Sequence, residues 1–118
     1  MSGGITGKGF GGKVAISAPS WHELLFGCER LPRSHKRERI EKYLFSVVPL
    51  SFPVLPYDQA AAAWHAAERA RLEAIGKTPP FLDGQIAAVA KVNDLILVTS
   101  NVEHFVGFEG LRIEDWRG

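Results

Sequence analysis

Asp83 is the carboxylate in this chain best placed to do chemistry. If residues 80–92 form a helix, Asp83, Ile86, Ala87 and Ala90 share one face, and that face is otherwise apolar. A carboxylate buried there needs a metal ion, a cation or several hydrogen-bond donors beside it. It reads equally well as a first-turn acid favoured by the helix dipole. Glu23 sits among Trp21, Leu24, Leu25 and Phe26. In the run Ser20-Trp21-His22-Glu23 it has the place of the acid in a capping box, and a capping carboxylate still has a second oxygen for a ligand. Ser100, Asn101, Glu103 and His104 follow the most apolar strand of the chain. Parallel sheets present ligands at such strand ends, although a polar loop there is also ordinary.

The remaining reactive side chains carry weaker signals. Cys28 lies in an apolar segment between Phe26 and Leu31 and reads as core. As the sole cysteine it excludes an internal disulfide and a cysteine-based zinc site. His22, His35 and His65 share no metal-ligand spacing and read as exposed or satisfied residues. His22 and Glu23, being adjacent, are expected to point to different sides of a helix. Arg30, Arg33, Lys36, Arg37, Arg39 and Lys42 form a basic cluster broken by Glu29, Glu38 and Glu41. Three readings stay open for it: a patch for RNA phosphates, a solvated face with i,i+4 Glu–Arg pairs, or a docking surface for an acidic partner.

Several elements must position these residues. Residues 1–12 are half glycine, which predicts a flexible leader and no phosphate loop, since no strand is expected before it. Residues 13–17 (KVAIS) predict a buried strand stopped by Pro19. A helix then runs from the capping box to about Glu29, and a second covers 34–48. Residues 52–55 are extended between prolines. Asp58 predicts the N-cap of a long helix that ends before Gly76. Ala60, Ala63, Ala67, Ala70 and Ala74 form a small-residue stripe along it, suited to close approach of another backbone. Residues 80–92 predict a further helix, 95–99 (LILVT) the clearest buried strand, and 111–113 a last short one. Strands separated by helices argue for one α/β layer domain over residues 13–118, with a mostly parallel sheet.

Composition limits what this domain can do. The 118 residues are 46% hydrophobic and 23% charged, enough for one core. A net charge of +1 gives no global field for nucleic acid, so any such binding must use a local patch or a metal ion. No apolar run approaches the roughly 20 residues that cross a bilayer, and no signal-peptide h-region is visible. The expectation is a cytoplasmic protein with no membrane association.

Taken together, the segments are more specific than any one residue. VAISAPSWHELLFGCERLP resembles the second strand and following helix of PIN-domain ribonuclease toxins of the VapC type, where an acid occupies the position of Glu23. PYDQAAAAWHAAERARLEAIGKTPPFLDGQIAAVAKVNDLILVTSNVEHF resembles the later core of that family, whose D-x-x-I-A-A aspartate falls on Asp83, and GLRIEDW resembles its last strand. The resemblance implies a PIN-like α/β fold, a parallel sheet flanked by helices with acids at the strand ends. It also implies Mg²⁺ or Mn²⁺ held by carboxylates, Glu23 and Asp83 here, with a metal-activated water attacking an RNA phosphodiester. It implies a VapB-like antitoxin as partner, an RNA substrate with transfer RNA as a candidate, and a homodimer.

Two departures bear on activity. The family opens with a strand ending L-D-T-N, and nothing like it precedes Lys13; Met1 to Gly12 contains no acid. The sequence therefore reads as N-terminally truncated, with apolar surface left open inside the sheet. The family often continues its late strand as N-x-x-D-F, whereas here Asn101-Val102-Glu103-His104-Phe105 puts His104 at the acid position and Glu103 one residue off. Asn101, Glu103 and His104 are accessory candidates. The expected outcome is an endoribonuclease toxin impaired in cutting, or a PIN-like fragment that only binds an antitoxin or its own copy through the helix at 21–31 and the Ala-rich helix.

Overall fold

The computed structural model of the chain describes residues 6–8, 14–46 and 52–115. Thr6–Lys8 forms a strand, β1, and Val14–Ser17 a second, β2. The chain passes from β2 straight into helix α1, Ala18–Glu29. Ser17 is its cap: the Oγ accepts the Ser20 N–H at 3.1 Å and donates to Ser20 Oγ at 3.0 Å. Pro19 lies in the first turn, where its missing N–H removes no helical bond. The expected stop at Pro19 and the capping box beginning at Ser20 are therefore corrected. The helix starts at Ala18, and Glu23 stands in its second turn.

Helix α2, His35–Ser46, follows after Ser34, whose Oγ accepts the Arg37 N–H at 3.2 Å. The expected end at 48 lies outside the described residues. Arg37 is buried, while Arg30, Arg33, Lys36, Arg39 and Lys42 are exposed. Its guanidinium donates to Leu31 O at 3.1 Å, Glu29 Oε2 at 2.9 Å and Glu41 Oε1 at 2.6 Å. One member of the basic cluster thus ties α1, α2 and their connection together, and the i,i+4 Glu–Arg pairing is present at Arg37–Glu41. The hydrogen bond that Arg37 donates to Glu41 raises the Arg37 pKa above its usual value. We expect Arg37→Ala to lower the thermal unfolding midpoint clearly and Arg39→Ala to leave it nearly unchanged. Arg37→Lys should recover only part of the loss, because an ammonium cannot serve three partners in a planar fork. Circular dichroism melts of the three variants would check this.

Val54–Leu55 is strand β3, parallel to β2, with Ile16 opposite Val54. Helix α3, Gln59–Ala74, is capped by Asp58 as expected; Asp58 Oδ1 accepts the Ala61 N–H at 3.0 Å. It ends at Gly76, whose φ of 72° is left-handed, with the Lys77 N–H donating back to Leu72 O at 2.8 Å. Its inner face corrects the sequence reading. Ala60, Ala63, Ala67, Ala70 and Ala74 are exposed, while Ala61, His65, Glu68 and Leu72 are buried. The helix is rotated so that His65 and Glu68 reach polar partners inside, and Leu72 joins the core.

That face packs on helix α4, Phe81–Val92, which buries Asp83, Gly84 and every residue from Ile86 to Ala90. Strand β4, Ile96–Thr99, follows, then a 3₁₀ turn at Val102–His104 and strand β5, Ile113–Asp115, two residues later than expected. Leu72, Ile86, Ala87, Ala90, Leu97, Phe105 and Phe108 form the main core between α3, α4 and this half of the sheet.

The strand order is β3-β2-β1-β4-β5. Both outer pairings are parallel, in keeping with the α/β class, and β1 runs antiparallel to both β2 and β4. Here the structure departs from the reading of residues 1–12 as a leader and of the sheet interior as open. Thr6–Lys8 occupies the interior position; the rest of 1–12 lies outside the described residues. Two facing strand edges need main-chain partners, and any short extended segment supplies N–H and C=O groups regardless of its side chains.

Candidate active site at the end of β4

Asp83 occupies the first turn of α4, after Pro80, which offers no side-chain cap. Its side chain is 0% exposed. The segment leaving β4 is built from local bonds. Buried Thr99 accepts the Asn101 N–H on Oγ1 at 2.9 Å, and Asn101 O accepts the His104 N–H at 3.0 Å. Phe105, fully buried, anchors the far side of this turn in the main core. The result brings the His104 ring to Asp83, with Nδ1 3.3 Å from Oδ2. Glu103 is exposed and, with His104, Lys77, Pro79 and Pro80, lines a cavity of about 360 Å³.

Among the sequence-predicted residues, the structure therefore brings Asp83 and His104 into contact, with Asn101 shaping the turn between them. Glu23 lies on α1, which packs against α4. Its carboxylate, 29% exposed, sits 3.3 Å from His22 Nδ1. His22 and Glu23 do meet, contrary to the expectation for adjacent helix residues, because both side chains are long enough to fold toward each other over the helix surface. Cys28 is buried core, as read from the sequence.

His65 proves to be a satisfied histidine and one that sequence reasoning undervalued. Tyr57 Oη lies 2.8 Å from its Nδ1, the Phe81 ring centroid is 4.8 Å away, and its Nε2 edge faces Gly84, next to Asp83. Burial pushes its pKa below the usual histidine value, and Arg69 adds to that. A neutral His65 therefore supports the turn of α4 that carries Asp83. Only a histidine meeting a glycine in a neighbouring helix could have signalled this, and the two are far apart in sequence.

Among the described residues no three His, Cys, Asp or Glu side chains converge to hold a metal ion. Mg²⁺ asks for oxygen ligands in near-octahedral order. Among the described residues Asp83 meets the imidazole of His104, so the described set does not fit an all-carboxylate magnesium site.

A PIN domain model matches residues 5–106. The chain is 34% identical over 105 residues to the tRNA(fMet)-specific endonuclease VapC of Shigella flexneri, spanning 89% of this chain and 76% of that protein. It superposes on the VapBC structure from Salmonella typhimurium, solved bound to DNA, with a TM-score of 0.76, 33% identity, and coverage of 86% of this chain and 74% of that one. For FitAcB from Neisseria gonorrhoeae the TM-score is 0.80, with 27% identity over 86% of this chain and 73% of that one. The site beneath His104 is thus set in a familiar frame: this chain belongs to the PIN domain family, in its VapC-type branch.

Proposed function

We propose that this chain is the toxin subunit of a VapC-type toxin–antitoxin pair, an endoribonuclease whose cutting is impaired. The observation that carries the reading is Asp83, fully buried at the first turn of α4 where β4 delivers Asn101 and His104. The likeness to an endonuclease that acts on transfer RNA supports RNA as substrate, with transfer RNA the first to try. The likeness to VapBC and FitAcB structures supports a VapB-like antitoxin as partner and a homodimer as its assembly. Exposed Phe26 on α1 and Tyr43 and Phe45 on α2 offer apolar surface for the antitoxin. No described helix is long and apolar enough to cross a membrane, and the reading places the pair in the cytoplasm. A divalent-ion requirement centred on Asp83 and Glu23 belongs to the same reading. Impairment follows from carboxylate number, because Mg²⁺ is held weakly where few carboxylates replace its waters.

A second reading is favoured by the lack of three convergent ligands among the described residues. In it the chain binds its antitoxin or its own copy and cuts nothing. One assay separates the two: purified chain, pooled transfer RNA, and Mg²⁺ or Mn²⁺. The first reading expects slow cutting that falls about a hundredfold in Asp83→Asn, as expected when a metal-centred site is disrupted, and rises in His104→Asp. Equal cutting by the parent and Asp83→Asn would sink it. No cutting by any of the three, with antitoxin binding intact, selects the second.

A further inference from the structure

The turn after Gly76 and the turn after β4 share a cavity of about 360 Å³. That volume lies within the range of about 300–1,000 Å³ that small-molecule sites take. Buried Leu72 and Phe108, with Pro79, Pro80 and Val106, give it an apolar lining. Two exposed charged side chains, Lys77 and Glu103, line it as well. Among the described residues neither side chain has an ion pair or a hydrogen bond. The backbone beneath each is nevertheless tied down. The Lys77 N–H donates to Leu72 O at 2.8 Å. Glu103 lies in the 3₁₀ turn closed by the His104 N–H on Asn101 O and the Phe105 N–H on Val102 O, both at 3.0 Å. His104 lines the cavity and also stands 3.3 Å from Asp83, so the cavity adjoins the candidate active site.

We propose that this cavity is a nucleobase subsite that takes guanine from single-stranded RNA beside the cleaved bond, with Glu103 reading the base and Lys77 holding a backbone phosphate. The inference rests on the reading of RNA as substrate and adds which base is preferred. An unstacked base is a flat body with a polar edge, and proteins recognise it by covering its faces and bonding its edge. The prolines, Val106, Leu72 and Phe108 supply the cover. A carboxylate has two acceptor oxygens and no donor. Guanine sets two donors side by side on its Watson–Crick edge, the ring N–H and the amino group, and so engages both oxygens. Adenine and cytosine put an amino group beside a ring acceptor, and uracil puts its N–H between two carbonyls; those acceptors repel a carboxylate. A bidentate, charge-assisted pair adds geometric specificity to its strength. Lys77 is a point charge that suits a phosphate and positions the chain without choosing a base. Both groups stand on anchored turns, so binding has little backbone left to order.

Its test reads binding, not cutting. The 3′,5′-bisphosphates of guanosine, adenosine, cytidine and uridine, each carrying a phosphate on both sides of the ribose, are titrated into the full chain by calorimetry. The guanosine form should bind about tenfold or more tighter than the others. Glu103→Gln keeps the shape of the side chain but replaces one acceptor with a donor, and should remove most of that preference. Lys77→Ala should weaken all of them by a similar factor and leave their order unchanged. Both residues are exposed, so matching thermal midpoints for parent and variants will confirm that binding alone has changed. The proposal is overturned if the parent chain binds none of the nucleotides, binds them alike, or keeps its guanine preference in Glu103→Gln. Transfer RNA cut by a chain without guanine preference would overturn the subsite and leave the nuclease reading standing. Guanine preference in a chain that cuts nothing would do the reverse.

Discussion

Gly84→Ala is expected to destabilise the fold by about 2–3 kcal/mol, although alanine is the better helix former by about 1 kcal/mol. Gly84 lies one turn into α4, facing α3. A Cβ there would stand 2.6 Å from His65 Cδ2 and closer still to Nε2. The ring has little room to retreat. Tyr57 Oη fixes Nδ1 at 2.8 Å, and Phe81 packs against the ring at 4.8 Å. The helices must separate or His65 must leave its partner, and either change disturbs Asp83 in the neighbouring position. Urea unfolding would measure the loss. His65→Ala should make Gly84→Ala much less harmful, so the double variant should be more stable than the sum of the single effects implies. A Gly84→Ala variant as stable as the parent would show that His65 moves aside freely and that this contact does not set the spacing of α3 and α4.

The legible parts of the fold were those fixed by local chemistry. Asp58 and Gly76 announce the ends of α3, because a cap oxygen and a left-handed glycine act within a few residues. The run LILVT announces β4, and the face shared by Asp83, Ile86, Ala87 and Ala90 announces the buried side of α4. Asp83 itself was legible as a carboxylate that burial must compensate. What could not be read depends on partners distant in sequence. The alanine stripe of α3 looks like its packing face, but His65 and Glu68 take that place because Gly84 and the Glu109 N–H wait for them. Strand β1 pairs through main chain, so its glycine-rich sequence carries no strand pattern to find. Pro19 was ambiguous locally: a proline ends strands and also opens helices, and the Ser17 hydroxyl decides for the helix. His104 was visible as a departure from the family's acid, but its contact with Asp83 depends on how the turn after β4 is anchored.

That anchoring supplies the second large effect, at Glu68. Its side chain is only 10% exposed. It accepts Arg71 Nε and Nη2, both at 2.9 Å, and the Glu109 N–H at 2.6 Å, while Arg71 Nη2 also donates to Gly107 O at 2.7 Å. Glu68 and Arg71 thus strap the segment after His104 onto α3. Glu68→Ala should destabilise the fold by about 1–3 kcal/mol, because the Glu109 N–H loses its acceptor and the part-exposed Arg71 guanidinium loses its bidentate partner and keeps Gly107 O. Hydrogen bonds from Arg71 hold the Glu68 pKa below the ordinary glutamate value of 4.5, and the Glu109 N–H acts in the same direction. A depressed folded-state pKa gives stability that is present above the unfolded value and lost as pH falls through the folded one. Thermal midpoints measured from about pH 6 to about pH 3 should therefore fall more steeply for the parent than for Glu68→Gln, with the divergence beginning near pH 4.5. Parallel curves would remove Glu68 as the source of acid sensitivity. The strap also reaches the site. Phe105 and Phe108 seat the same segment in the core, so loosening it at Glu109 frees the turn that holds His104 over Asp83.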